Sequence, residues 1–426
     1  MDSSIVIERA WLSHAGRRIN YIYEGVGQAA KFFLGRPLFY AEYEVDLSQV
    51  PESILLIPLV ANLAPIAWFS GLPLEAPMLD AKFFTALGQV KAVFMNDYPE
   101  ILENQSPILV ESLIDNNISG SKHAMLFSGG VDAYATFFRH QEEGLDLISI
   151  CGADIPIQDV TQWKRLVDLI DHEPLLETHS KQKIKANLRD FYTYHVSLLI
   201  PTRAWWGAVQ HGLALNSLVA PLSTIRGYSR IYIASTHTEA IKIKWGSSPE
   251  IDNRIAWSNC SVHHDCYEFT RMDKIALIVS MSNRVSRGVC LRVCYSELSD
   301  GLNCSTCEKC LRTMFGLSLM GVDPSRYGFA PSRDAYSKIL QIILKGFSTE
   351  GIRYLWWQFH QRMKVTPVSS IYLLGEEPAY NDVFKALAVQ LDRPVSVKRL
   401  STMKMAIIES FPRFFSLYLK IRRRLL

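Results

Sequence analysis

The chain has 426 residues, 48% of them hydrophobic and 20% charged, with a net charge of +3. Such a composition excludes a disordered chain, and the length supports roughly two or three domains around a sizeable core. The nearly balanced charge exerts no strong pull on nucleic acid, and no direct nucleic-acid contact is expected.

The opening Met1-Asp-Ser-Ser-Ile lacks a basic stretch followed by an apolar run, so no signal peptide is expected. Residues 1–118 read as an α+β domain that packs on its neighbour or recognises a partner. Residues 5–8, 18–23 and 40–46 carry strand patterns, and 81–95 carries helical spacing through Phe84, Leu87, Val90 and Phe94. The uncharged stretch 53–74 is long enough to test as a membrane span. Pro58, Asn62, Pro65 and Pro73 would break a single helix repeatedly, so buried core is expected and no transmembrane segment. Turn-forming residues at 115–121 mark a linker.

After the linker, Ala124 to Phe127 read as a short buried strand, Ser128-Gly129-Gly130 as a turn, and 131–140 as a helix start. Adjacent glycines let backbone approach a ligand closely, and the open N–H groups of a helix start favour an anion. This is the layout of a phosphate cradle, with an ordinary turn as the plain alternative. It is not a Walker loop, because the Gly-Lys-Ser/Thr ending is missing.

Strands are then expected at 145–151, 174–179 and 231–235, with helices at 160–170 and 205–218. That alternation implies an α/β domain over 119–328, a parallel sheet with helices on both faces. Ligands in such sheets sit beyond the carboxyl ends of the strands. Those ends are read as Ser128-Gly129-Gly130, Gly152-Ala153-Asp154, His179-Ser180 and Ser235-Thr236-His237. Lys181, Lys185 and Arg189 are spaced for one helical face, where they would meet phosphate oxygens or stand as solvated charges.

Cys294, Cys304, Cys307 and Cys310 offer thiolates from one short loop, a set that closes a tetrahedral structural zinc site; an iron–sulfur cluster or free thiols are the alternatives. Arg292, Lys309 and Arg312 flank it and would temper its charge. Cysteines concentrated this way fit metal binding in the cytoplasm better than disulfides. Cys151, Cys260, Cys266 and Cys290 read as packed small hydrophobes. Residues 329–426 read as a helical extension, with helices at 335–344, 351–363 and 382–391. The amphipathic basic segment 414–426 suits a docked helix, a membrane surface or an acidic partner.

The 128–133 loop resembles the Ser-Gly-Gly-x-Asp-Ser loop of the N-type ATP pyrophosphatases, the PP-loop family, with Ala133 where the family carries serine. That loop followed by Cys294…Cys304-x-x-Cys307-x-x-Cys310 resembles the QueC family of 7-cyano-7-deazaguanine synthases over about residues 120–325. The longer layout, with Trp245-Gly-Ser-Ser-Pro-Glu-Ile-Asp252, looks like the extended QueC-like proteins of bacterial anti-phage operons, the Qat and type IV CBASS kinds. The resemblance implies the adenine nucleotide alpha hydrolase-like PP-loop fold, ATP, Mg²⁺ and structural Zn²⁺ as cofactors, and a 7-carboxy-7-deazaguanine-type carboxylate as substrate. ATP would be split to AMP and pyrophosphate, and the activated acid passed to an amine, of a partner protein from the same operon. Ammonia as acceptor, giving amide and nitrile, is the alternative. A nucleotide-binding scaffold that lost turnover with the serine at Ala133 is another, and a tRNA thiolase a more distant one.

Carried over by position, the nucleotide would meet Phe127, Ser128, Gly129, Gly130, Val131, Asp132 and Ala133, with Asp132 acting through Mg²⁺ or through the loop backbone. Gly152 and Asp154 would face adenine and ribose, and Ser235 would close the pocket. Glu250 and Asp252 would accept from a guanine-like edge, or form an ordinary polar turn. Ser128, Asp132, Lys181 and Arg189 are the catalytic candidates.

Overall fold

The computed structural model describes residues 3–100, 106–294 and 301–395, with Met403, Ile407, Ser410 and Phe411 as single residues. The basic segment 414–426 lies outside the described residues. Its strands in chain order are β1 (Ile5–Ser13), β2 (Arg18–Gly25), β3 (Tyr40–Tyr43), β4 (Leu74–Asp80), β5 (Ile108–Ile114) and β6 (Lys122–Leu126). They continue with β7 (Asp146–Cys151), β8 (Lys181–Ala186), β9 (Tyr228–Ala234), β10 (Ala256–Trp257) and β11 (Cys260–Asp265).

All eleven join one sheet in the order β10-β11-β9-β6-β7-β8-β3-β2-β1-β4-β5. The run from β11 through β8 is parallel, as is β1-β4-β5, so the fold is α/β with a mostly parallel sheet flanked by helices. The boundary read at 118 falls between β5 and β6 in sequence, but the sheet crosses from one part to the other at β3 and β8. There the strands run antiparallel, with Ala41 opposite Ala186 and Tyr43 opposite Ile184.

A strand points successive side chains to opposite faces, and here both faces are buried. Ala124, Ile148, Ile184 and Ile231 enter one core, with the N-terminal strands and the Ile57–Ser70 helix. Their neighbours Met125, Leu147 and Tyr232 enter a second core. That one is shared with the helices Val131–His140, Arg271–Arg284 and Glu308–Leu319, and with the C-terminal helices Ala335–Leu344, Glu350–Val365 and Glu377–Gln390.

Two elements depart from expectation. The prolines of 53–74 do not break the helix: Ile57–Ser70 is a single run with Pro65 inside and every residue to Phe69 buried. Pro58 sits in the first turn, where its missing N–H costs nothing. Pro65 costs about 3 kcal/mol, and the burial of Leu59, Leu63 and Ile66, at about 2 kcal/mol each, exceeds it. No helix among the described residues is long and apolar enough to cross a membrane.

The strand expected at 174–179 is instead a short 3-10 turn, Pro174–Leu176, capped by the Glu173 side chain. The strand lies later, as β8, where Gln182, Ile184 and Ala186 are buried and Lys181, Lys183 and Lys185 alternate with them. His179-Ser180 therefore precedes its strand and lies at the opposite sheet edge from the glycine turn. The helical face expected for Lys181, Lys185 and Arg189 is likewise a strand followed by a loop.

Candidate functional site

The glycine turn follows β6, a central strand of the parallel run. Phe127 locks its base: its N–H donates to the Ile148 carbonyl at 2.8 Å, and its ring packs edge-on against Tyr134 at 5.0 Å. Phe127 therefore ties the turn to β7 and to the second core, with its ring buried. Ser128 is exposed. Gly129 has φ +72°, a conformation that costs other residues strain, and Gly130 is the extended cap of the Val131–His140 helix. No side chain caps that helix start, so its first N–H groups stay open toward the turn. Val131 and Ala133 are buried in the second core and hold the first turn in place.

Asp132 projects from that turn to the β9 side. Its two oxygens accept from Arg271 and Lys274, each at 3.1 Å. Burial pushes the carboxyl up, but these two cations outweigh it and hold its pKa below the ordinary value. Both cations come from the Arg271–Arg284 helix, which opens on a reciprocal Thr270–Asp273 capping box. Lys274 is 1% exposed and also donates to the Ser235 carbonyl. The Ser235 hydroxyl is engaged with the His237 carbonyl at 2.5 Å, so Ser235 shapes the wall. His237 lies beside them, near Asp132, Arg271 and Arg312; burial pulls its pKa to about 4 and keeps it neutral near pH 7. It lines a crevice with Thr236, Phe269, Tyr354 and Gln358, closed by the Glu350–Val365 helix.

The other wall follows β7. Gly152 has φ +101°, and a β-carbon there would lie 1.7 Å from the Ala186 carbonyl oxygen, so only glycine lets β7 and β8 part into this turn. Asp154 is solvent-exposed. Enclosure raises its carboxyl, and Lys309, His211, Arg292 and Arg189 together hold it below the ordinary value. Arg189 reaches the Ala153 carbonyl at 3.4 Å and lies over the Trp206 ring at 5.4 Å. His211 follows a π-turn, Trp206–Gln210; burial lowers its pKa against the pull of Asp154 and Asp252.

The remaining sequence candidates fall elsewhere. Lys181 stands at the amino end of β8, opposite Leu147 in the register, away from the turn. Glu250 is exposed on the short Pro249–Asp252 turn. Asp252 is fully buried, and Ser247, Asn216 and His264 occupy its oxygens at 2.6, 3.2 and 2.7 Å. It braces the wall behind His211 and presents no free edge. Both Asp132 oxygens being engaged, Asp154 is the accessible carboxylate of the cleft.

The third component is the cysteine loop. The four sulfurs lie within 4.8 Å of one another, with Cys294–Cys307 at 3.8 Å and Cys304–Cys310 at 4.0 Å. Sulfurs about 2.3 Å from a tetrahedral centre are about 3.8 Å apart, so this cluster could hold a metal such as zinc. Backbone N–H groups of Thr306 and Cys307 donate to the Cys304 sulfur, which steadies a thiolate in its place. Asn303 fastens the loop, accepting from the Val293 and Cys294 N–H groups and donating to the Leu291 and Gly328 carbonyls.

The result is a cleft in which Arg189, Arg271, Lys274, Arg292, Lys309 and Arg312 act on Asp132, Asp154 and His237 around one glycine turn. Sequence reading placed the turn and the cysteines but passed over Lys274 and His211 altogether. The one available signal was Thr270-Arg271-Met272-Asp273-Lys274, a capping box that presents two cations three residues apart. No protein-family model, curated protein or solved structure matches the chain.

Proposed function

We propose that the chain is an ATP-dependent ligase of the PP-loop, QueC-like kind. It would adenylate a carboxylate of the 7-carboxy-7-deazaguanine type, release pyrophosphate, and pass the acyl group to an amine, that of a partner protein. The observation that carries this reading is the uncapped helix start behind Gly129-Gly130, set at the carboxyl end of β6 among converging cations. Open N–H groups and fixed positive charge are what a leaving pyrophosphate needs.

A carboxylate is a poor acyl donor because its leaving group would be oxide. Its oxygen would attack the α-phosphorus, forming an acyl–O–P bond as the bond to the β-phosphate oxygen breaks. The amine nitrogen would then form the C–N bond while AMP leaves with the original carboxylate oxygen. His237, neutral and lining the crevice beside Arg271, is suited to take the amine proton. Ser128 and the first-turn N–H groups would face the pyrophosphate, and Arg189, Arg292 and Lys309 its charge. Mg²⁺ bound with the phosphates would neutralise them further, and Asp154 is the carboxylate open to it.

The test is nucleotide turnover with 7-carboxy-7-deazaguanine, reading AMP and pyrophosphate apart from ADP, with intact mass of a co-expressed operon partner. AMP with a deazaguanine-sized mass gain on the partner is expected. AMP with a small-molecule amide or nitrile and no protein adduct would replace the protein amine by ammonia. Tight ATP binding without AMP would reduce the chain to a scaffold.

A further inference from the structure

We propose that Arg292, Lys309 and Arg312, set beside the four cysteines, form one wall of the anion site, so that a metal held by the cysteines and a polyphosphate bound in the cleft strengthen each other's binding. These three cations of the cleft flank the cysteines in sequence. Arg292 stands two residues before Cys294, Lys309 lies between Cys307 and Cys310, and Arg312 follows Cys310 by two. The loop is tied to the glycine turn through backbone, because the Arg292 N–H donates to the Gly129 carbonyl at 2.8 Å. The Arg292 β-carbon lies 3.6 Å from the place a Gly129 β-carbon would take, so the two segments are in van der Waals contact.

Arg292 is 6% exposed, yet among the described residues its Nη2 has no hydrogen-bond partner, and neither has the buried Nη1 of Arg312, whose Nε pairs with Glu308. Buried guanidinium N–H groups without acceptors are costly, and an anion that pairs with them removes that cost. Lys309 and Arg292 both act on Asp154. Four thiolates gathered on one loop repel one another unless a cation holds them. A metal therefore fixes where Arg292, Lys309 and Arg312 point, and an anion that pairs with them favours the metal-bound loop. Linkage makes that coupling reciprocal.

The inference rests on the phosphate part of the reading above, not on its acyl chemistry. The probe is magnesium-saturated α,β-methylene ATP, measured by calorimetry on the full chain loaded with zinc and on the chain stripped by a chelator. Metal content and far-UV circular dichroism are followed on the same samples. Stripping is expected to leave the circular dichroism unchanged and weaken binding at least tenfold. In the loaded chain the probe should slow zinc loss to a competing chelator. Arg292→Met, with all four cysteines present, should keep its zinc, bind the probe at least tenfold more weakly and lose that protection, which also controls for chelation by the probe itself. Binding indifferent to metal content overturns this inference alone. Unfolding on stripping overturns it too, because the metal would then serve the fold. Absence of binding to the loaded wild type overturns both the inference and the phosphate reading beneath it.

Discussion

Asp132 and Asp154 flank the same turn on either side of β6, and both carboxyls are held below their ordinary pKa by cations. The means differ. Asp132 is bonded by two fixed donors from one helix, and one of them, Lys274, is almost wholly enclosed. Asp154 is exposed, and Arg189, after β8, acts on it together with Arg292 and Lys309 from beside the cysteines. The first arrangement is a finished structural joint. The second is a charged surface that a ligand can still reorganise. Within one cleft, accessibility separates the group that holds the site from the group that is free to act.

Breaking the joint should cost most. Asp132→Asn leaves the buried Lys274 ammonium and the Arg271 guanidinium without their paired negative charge, and a loss of about 3–5 kcal/mol is expected in urea denaturation. A change comparable to a surface substitution would show that Asp132 is not the anchor. On the opposite wall, Gly152→Ala should cost on the order of 3 kcal/mol, since its methyl meets the Ala186 carbonyl and its φ is positive. A wild-type midpoint would mean β7 and β8 can separate freely there.

The His237 imidazole sharpens the comparison through pH. Its folded pKa, about 4, lies below the ordinary 6.5, so the unfolded chain binds a proton that the folded chain refuses. Its contribution is fully present above pH 6.5 and is lost as pH falls through about 4, amounting to at most about 3 kcal/mol. His237→Gln should flatten stability over that window; an unchanged slope would remove His237 as the cause. Asp154→Asn should change stability by less than about 0.5 kcal/mol while tightening metal-free binding of α,β-methylene ATP, because a negative charge facing the phosphates is gone. Weaker binding would turn the sign of that argument. The smallest effect is expected for Lys181→Ala, at the far end of β8: probe affinity within twofold of wild type. A larger loss would bring that sheet edge back into the site.

The turn was legible because its signals are local. An apolar run, two adjacent glycines and a helix start occupy one stretch of chain, and the four cysteines likewise carry their own spacing. What could not be read depends on distance. β8 is a strand whose buried positions include Gln182, so its hydrophobic pattern was too weak to outbid the apolar Pro174-Leu175-Leu176 before it. Asp252 looked like a ligand because nothing in its neighbourhood of sequence reveals that Asn216 and His264 saturate it. The cations of the cleft are scattered from Arg189 to Arg312, and only the fold gives them a common target.

The seam between β3 and β8 has a practical consequence. A fragment spanning 122–328 would keep the turn and the cysteines, but it would lose the Glu350–Val365 helix that closes the crevice and strip β8 of the strand that pairs its outer side. The amides and carbonyls along Ala186, Lys185 and Ile184 would then form a bare sheet margin, able to recruit a strand from another molecule. Such a fragment should precipitate or associate through that margin. Whoever prepares the protein should keep residues 40–43 with the cleft, or place charge or proline along the exposed strand.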